Sequence, residues 1–76
     1  MTFALGLPGA ARVRFTIHDL QGRRIWEAPL EQRSAGRFSL AWSGVTAQGA
    51  PAPAGLYFAC VAVEGRVLTR RFALLR

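Results

Sequence analysis

An all-β antiparallel sandwich of six to seven short strands is the fold class predicted by these 76 residues, and three observations predict it. Apolar residues recur at every second position in most segments, which is the period of a half-buried strand, and no helical spacing persists. Gly, Pro and Asp interrupt the segments at short intervals, where turns need them. The segments themselves carry the β-branched and aromatic residues that suit a pleated surface.

Each element follows from the same reading. Residues 2–7 alternate with Phe3, Leu5 and Leu7 on one face, and Pro8-Gly9 ends the strand. Residues 12–18 alternate more cleanly, with Val13, Phe15 and Ile17 inward and Arg14, Thr16 and His18 outward. Asp19-Leu20-Gln21-Gly22 places Asp at the first position of a type I turn and Gly at its last. Residues 23–28 return as a hairpin partner closed by Pro29, residues 30–35 read as polar and irregular, and Gly36 opens a strand ending at Trp42. A turn-rich loop follows, built from Trp42-Ser43-Gly44, Gly49 and Pro53-Ala54-Gly55, before an apolar strand over 56–63. Glu64-Gly65 is a tight hairpin turn. Residues 66–75 pair back, with Val67, Thr69 or Phe72, and Leu74 available to the core. The register makes Phe15, Ile17, Leu40, Trp42, Phe58 and Leu74 the expected core.

Length and composition define one small domain over 1–76, with 51% apolar residues, enough for a single core. No apolar run reaches the length of a membrane span, and no signal peptide is visible. If the chain belongs outside the cell, it is expected to be an excerpt from a longer exported precursor. Cys60 is the only cysteine, so no intrachain disulfide can form, and it is expected to be a buried thiol acting as a small hydrophobe within its strand. The net charge is +6 and every basic residue is arginine. Arg12 and Arg14 share a side, but the pairs Arg23-Arg24 and Arg70-Arg71 split across two faces. That dispersion speaks for a solvated surface resistant to edge pairing and against a nucleic-acid footprint, which needs clustering.

Candidate chemistry is sparse. One histidine, one cysteine and four scattered acids (Asp19, Glu27, Glu31, Glu64) offer neither a zinc ligand set nor a carboxylate pair. No catalytic, cofactor or metal site is expected, and enzyme is the least favoured class. Asp19 is assigned to its turn and His18 to the solvated face. Trp42 is read as core or as a lid over the loop, with a sugar-stacking platform as the minority alternative. Tyr57 fits a tyrosine corner, with its side chain bonded back to the backbone.

The order of motifs carries more information than any one of them. Phe3-Ala4-Leu5-Gly6-Leu7-Pro8 is followed by Val13-Arg14-Phe15-Thr16-Ile17-His18-Asp19-Leu20-Gln21-Gly22-Arg23. Then come Ala35-Gly36, Trp42-Ser43-Gly44, Gly49, Gly55-Leu56-Tyr57-Phe58, and a closing Thr69-Arg70-Arg71-Phe72-Ala73-Leu74-Leu75-Arg76. Over essentially its whole length the chain resembles the FlgD-type immunoglobulin-like domain, named after the flagellar hook-capping protein, and the related C-terminal sorting domains of type IX secretion cargo. It departs from the family pattern at Ser43 and Thr46, where acidic or amide residues are usual, and at His18, where an aromatic is usual.

The resemblance implies an immunoglobulin-like (fibronectin III-like) sandwich serving as a non-catalytic accessory module at the C-terminus of a secreted or cell-surface bacterial protein, and the domain is separately expected to be monomeric. The implied role is sorting, secretion or surface anchoring. Arg70, Arg71, Phe72, Leu74 and Arg76 would form the surface read by the secretion machinery, and the stop after Arg76 would be the end of the longer protein. Asp19, Gly22, Trp42, Gly44, Gly49, Gly55 and Tyr57 would be its structural motif. The alternative is a module that binds neighbouring protein domains or carbohydrate, including a hook-cap-type assembly role.

Overall fold

The computed structural model describes residues 2–75 and contains seven strands: β1 (Thr2–Leu7), β2 (Ala11–His18), β3 (Arg24–Glu27), β4 (Glu31–Arg33), β5 (Gly36–Ala41), β6 (Gly55–Val63) and β7 (Arg66–Leu74). All pairings are antiparallel. The larger sheet runs β3-β2-β6-β7, with β4 on the same edge of β2 as β3, and the smaller sheet is β1 with β5. This is the all-β sandwich the sequence predicts.

The short strand β4 lies inside the stretch the sequence reads as irregular. Glu27 faces Thr16 and Glu31 faces Val13, so the edge carries one residue more than β2 across this interval. β3 and β4 are thus one edge strand broken by a bulge at Pro29, which has no N–H to give to a ladder. The amide of Ala28 still donates to the Phe15 carbonyl at 2.9 Å. Three residues of charged and amide type carry no apolar alternation, so the sequence contained no period from which to read β4.

Six aromatic rings from both sheets form one continuous cluster. Phe3 meets Phe15 and Phe72 edge-on, Phe15 meets Trp26, and Trp42 touches Trp26, Tyr57 and Phe72, all at centroid distances of 5.5–6.5 Å. Trp42, Phe15 and Ile17 are the largest fully buried side chains. The Phe3 contacts place β1 over β2 and β7. The Arg33 guanidinium, 4.6 Å from the Phe38 ring centroid, places β5 over β4.

Three expectations about the interior are corrected. Tyr57, Ala59 and Val61 of β6 face the core, so Phe58 faces outward, opposite His18 on β2 and Arg71 on β7, and is only partly buried. Cys60 shares that outer face and is half-buried, its Sγ 3.9 Å from the Thr69 hydroxyl. An apolar run of nine residues hides its own register, because both of its faces look hydrophobic. On β7 Phe72 and Leu74 are the core-side residues packed against the cluster, whereas Val67, 66% exposed, and Thr69, opposite Cys60, lie on the other face.

Candidate interaction site

Two loops fix one end of the sandwich. In the first, the Asp19 carbonyl accepts from Gly22 N–H at 3.0 Å, and Asp19 Oδ1 accepts from the amides of Gln21 and Arg23 at 3.0 and 2.9 Å. Asp19 Oδ2 pairs with Arg23 Nε at 2.9 Å. Partial burial pushes the Asp19 carboxyl up, but the Arg23 amide, the Arg23 guanidinium and the Gln21 amide together outweigh it and hold the pKa below its ordinary 3.8. Gly22 sits at φ +83°, the left-handed region that closes the turn. His18 is tied into the same corner: its Nδ1 donates to the Gly22 carbonyl at 3.3 Å, which leaves Nε2 to accept from the Thr16 hydroxyl at 3.0 Å.

The second loop joins β5 to β6 and contains the Trp42, Gly44, Gly49 and Gly55 motif. It closes on itself through Ala52 N–H to Gly44 O, Thr46 N–H to Ala50 O and Gly49 N–H to Thr46 O, with a bridge between Val45 and Pro51. Ala47 N–H reaches across to Ile25 O on β3 at 2.8 Å. Trp42 plugs the base of this loop, donating from Nε1 to the Val45 carbonyl at 2.8 Å, and Tyr57 OH donates to the Pro53 carbonyl. A Trp42 ring only 1% exposed offers no face to a sugar. These motif residues hold the loop; none presents a reactive group.

The residues singled out on the closing strand do not form one surface. Arg70 shares a face with Phe72 and Leu74, whereas Arg71 points to the other side beside Phe58. Phe72 is stacked on Tyr57 and edge-on to Phe3 and Trp42, so it belongs to the core cluster. Arg76 lies outside the described residues. Among the described residues no group of three His, Cys, Asp or Glu is placed to hold a metal ion, and no helix is long and apolar enough to cross a membrane.

The sequence reading missed a groove between β1 and β7. The two-stranded sheet covers Tyr57 and Phe72 but stops short of the N-terminal half of β7. There the core-facing positions Arg66, Leu68 and Arg70 are open to solvent. Leu68 is 49% exposed while Val61, its neighbour on the same face, is 7% exposed. Two adjoining clefts of about 420 and 170 Å³ fill the gap, sharing Leu5 and Leu68 in their walls. The available signal was arginine at alternate positions of β7 in register with the inward Phe72, since charge on a core face marks a place the core does not reach.

The sequence model of the FlgD Ig-like domain matches residues 1–66. Among solved structures, the crystal structure of FlgD from P. aeruginosa is similar, with 28% sequence identity and a TM-score of 0.68 over 97% of this chain. The chain spans 60% of that longer one. No curated protein sequence matches.

Proposed function

The chain belongs to the FlgD Ig-like domain family, and from that premise we propose that it is a non-catalytic assembly module of the hook-cap type, working through contacts with neighbouring protein subunits outside the cytoplasm. The observation that carries this reading is the combined match: the family over residues 1–66, and the FlgD fold over 97% of the chain at 28% identity. The geometry supports it. The polar loops are spent on internal hydrogen bonds, six aromatic rings from the two sheets are packed against one another, and what remains available is surface and strand edge, which suits a scaffold. Sorting by the closing strand is the weaker reading, because Phe72 and Leu74 pack against the core and Arg70 and Arg71 diverge.

The test is a chimera. This chain replaces the matching segment of P. aeruginosa FlgD in a cell lacking its own FlgD, and hooks are counted by electron microscopy. Hooks should form at a substantial fraction of the normal number. A chimera that accumulates to normal levels, folds, and yields no hooks would refute the assembly role.

A further inference from the structure

We propose that the groove between β1 and β7 is a strand-acceptor site, into which a separate polypeptide inserts an extended, alternately apolar segment that pairs with the free edge of β1 and sets acidic side chains against Arg66 and Arg70. The proposal deepens the assembly reading and rests on it for the kind of partner.

Three independent features of the groove converge. The first is the backbone. Among the described residues β1 pairs with β5 alone, so its other edge presents an unpaired row of N–H and C=O groups. An extended chain is the one structure that satisfies such a row in full. The second is the lack of protection. Native proteins blunt open edges with charge, proline or bulges, and the β3–β4 edge has all three in Arg24, Pro29 and its bulge. β7 carries Arg66, Arg70 and Arg71, and β5 carries Arg37. β1 reads Thr-Phe-Ala-Leu-Gly-Leu, with neither charge nor proline.

The third feature is the floor. A strand added to β1 would lie over Leu68 and the walls formed by Leu5 and Leu7, covering the part of the larger sheet that the two-stranded sheet leaves bare. Addition to the edge of β7 would only extend the larger sheet and leave Leu68 wet. The charge of the floor then specifies the occupant. Arg66 and Arg70 line the clefts and make no ion pair among the described residues, and Glu64 at the hairpin turn is the one carboxylate in the lining. Apolar side chains at alternate positions would meet Leu5 and Leu68, and carboxylates would meet the two guanidinium groups.

The experiment uses the 76-residue chain, isotope-labelled, and a synthetic peptide alternating valine with threonine, long enough to span the six residues of β1 and carrying two glutamates. Titration followed by NMR should shift the amide signals of β1 and slow their hydrogen exchange. Leu68→Glu, at a position half exposed already, should leave the melting temperature unchanged and abolish the shifts. The double variant Arg66→Glu, Arg70→Glu should weaken binding by about tenfold or more, and a peptide with lysines in place of the glutamates should restore it. Shifts confined to the β3–β4 edge or to the edge of β7 would overturn the proposal, as would unaltered binding by Leu68→Glu or no saturable binding at all. A chain that sediments as a dimer through β1 without peptide would also overturn it, in favour of a second copy as occupant. Failed peptide binding with hooks still formed by the chimera strikes this groove alone. Binding without hooks strikes the hook-cap role alone.

Discussion

Phe15 and Phe58 are the same residue type on paired neighbouring strands, and the structure assigns them opposite fates. Phe15 is 2% exposed, edge-on to Phe3 and Trp26 at 5.7 and 5.5 Å. Replacing it by Ala removes its transfer free energy and leaves a cavity between the two sheets, together costing about 3–5 kcal/mol. A domain of 76 residues has a total stability of roughly 4–11 kcal/mol, so this single change removes about a quarter of it or more. At roughly 4–8 °C per kcal/mol for a domain of this size, Phe15→Ala should melt some 12–40 °C below the parent, or fail to fold. Phe58 points outward between His18 and Arg71, makes no ring pair among the described aromatics and is only half-buried. Phe58→Ala should cost about 1 kcal/mol, the fraction of a ring's transfer energy that half-burial supplies, or about 5 °C.

The assay is a far-UV circular dichroism melt and a guanidinium titration of the parent and both variants. Far-UV detection is chosen because the Trp26 ring touches Phe15 and would change its fluorescence for local reasons. The predicted result is a clear separation of the two variants with equal denaturant slopes. Equal losses, or a larger loss for Phe58→Ala, would mean that β6 is shifted by one residue, with Phe58 inside and Tyr57 outside.

Further outcomes follow from the turns and corners. Glu64 holds φ +48° at the β6–β7 turn beside Gly65 at +76°, a geometry that prefers Asn-Gly, so Glu64→Asn should stabilise by about 0.5–1 kcal/mol in the same melts. Tyr57→Phe keeps the ring in the aromatic cluster and removes the bond to the Pro53 carbonyl, so it should destabilise by about 0.5–1.5 kcal/mol. The Asp19 carboxyl has a folded pKa below its ordinary 3.8, so the stability it contributes is whole above that value and decays as the pH falls through the folded pKa. Melts of the parent and of Asp19→Asn should therefore differ at neutral pH and converge at acid pH, and a gap that widens on acidification would contradict the assignment.

Much of the fold was legible because β2 alternates without ambiguity. Once Val13, Phe15 and Ile17 are placed inward, the Asp19–Gly22 turn, the Trp42 loop and the Glu64-Gly65 hairpin set where the chain reverses. The failures share one cause: segments in which the two faces do not differ in polarity. β6 reads Gly-Leu-Tyr-Phe-Ala-Cys-Val-Ala-Val, apolar on both sides, so Phe58 and Cys60 could be placed on either. β4 is Glu-Gln-Arg, polar on both sides, and its existence depends on pairing with β2, a long-range property invisible in three residues. The structural motif residues were legible as loop-forming because glycine at positive φ and a tryptophan beside it are local requirements.

The candidate site was the least legible part, and the reason is geometric. Whether Arg66, Leu68 and Arg70 are surface or core depends on how far the opposite sheet extends, and no local pattern encodes the width of a sheet. Arginine on β7 reads as protection against edge pairing, and for Arg71, on the outer face, that reading fits its position. For Arg66 and Arg70 the register with Val63 and Ala59 puts the same residue type on the inner face, where charge would be costly if a second layer closed over it. Those two positions are tolerable only because β1 and β5 form a sheet two strands wide. The same narrowness leaves Leu68 wet, leaves β1 without a second strand partner among the described residues and leaves the smaller sheet short of the larger. A single missing layer thus accounts for the exposed leucine, the inward arginines and the uncharged free edge at once, whereas a purely protective role for the arginines accounts for only one of them.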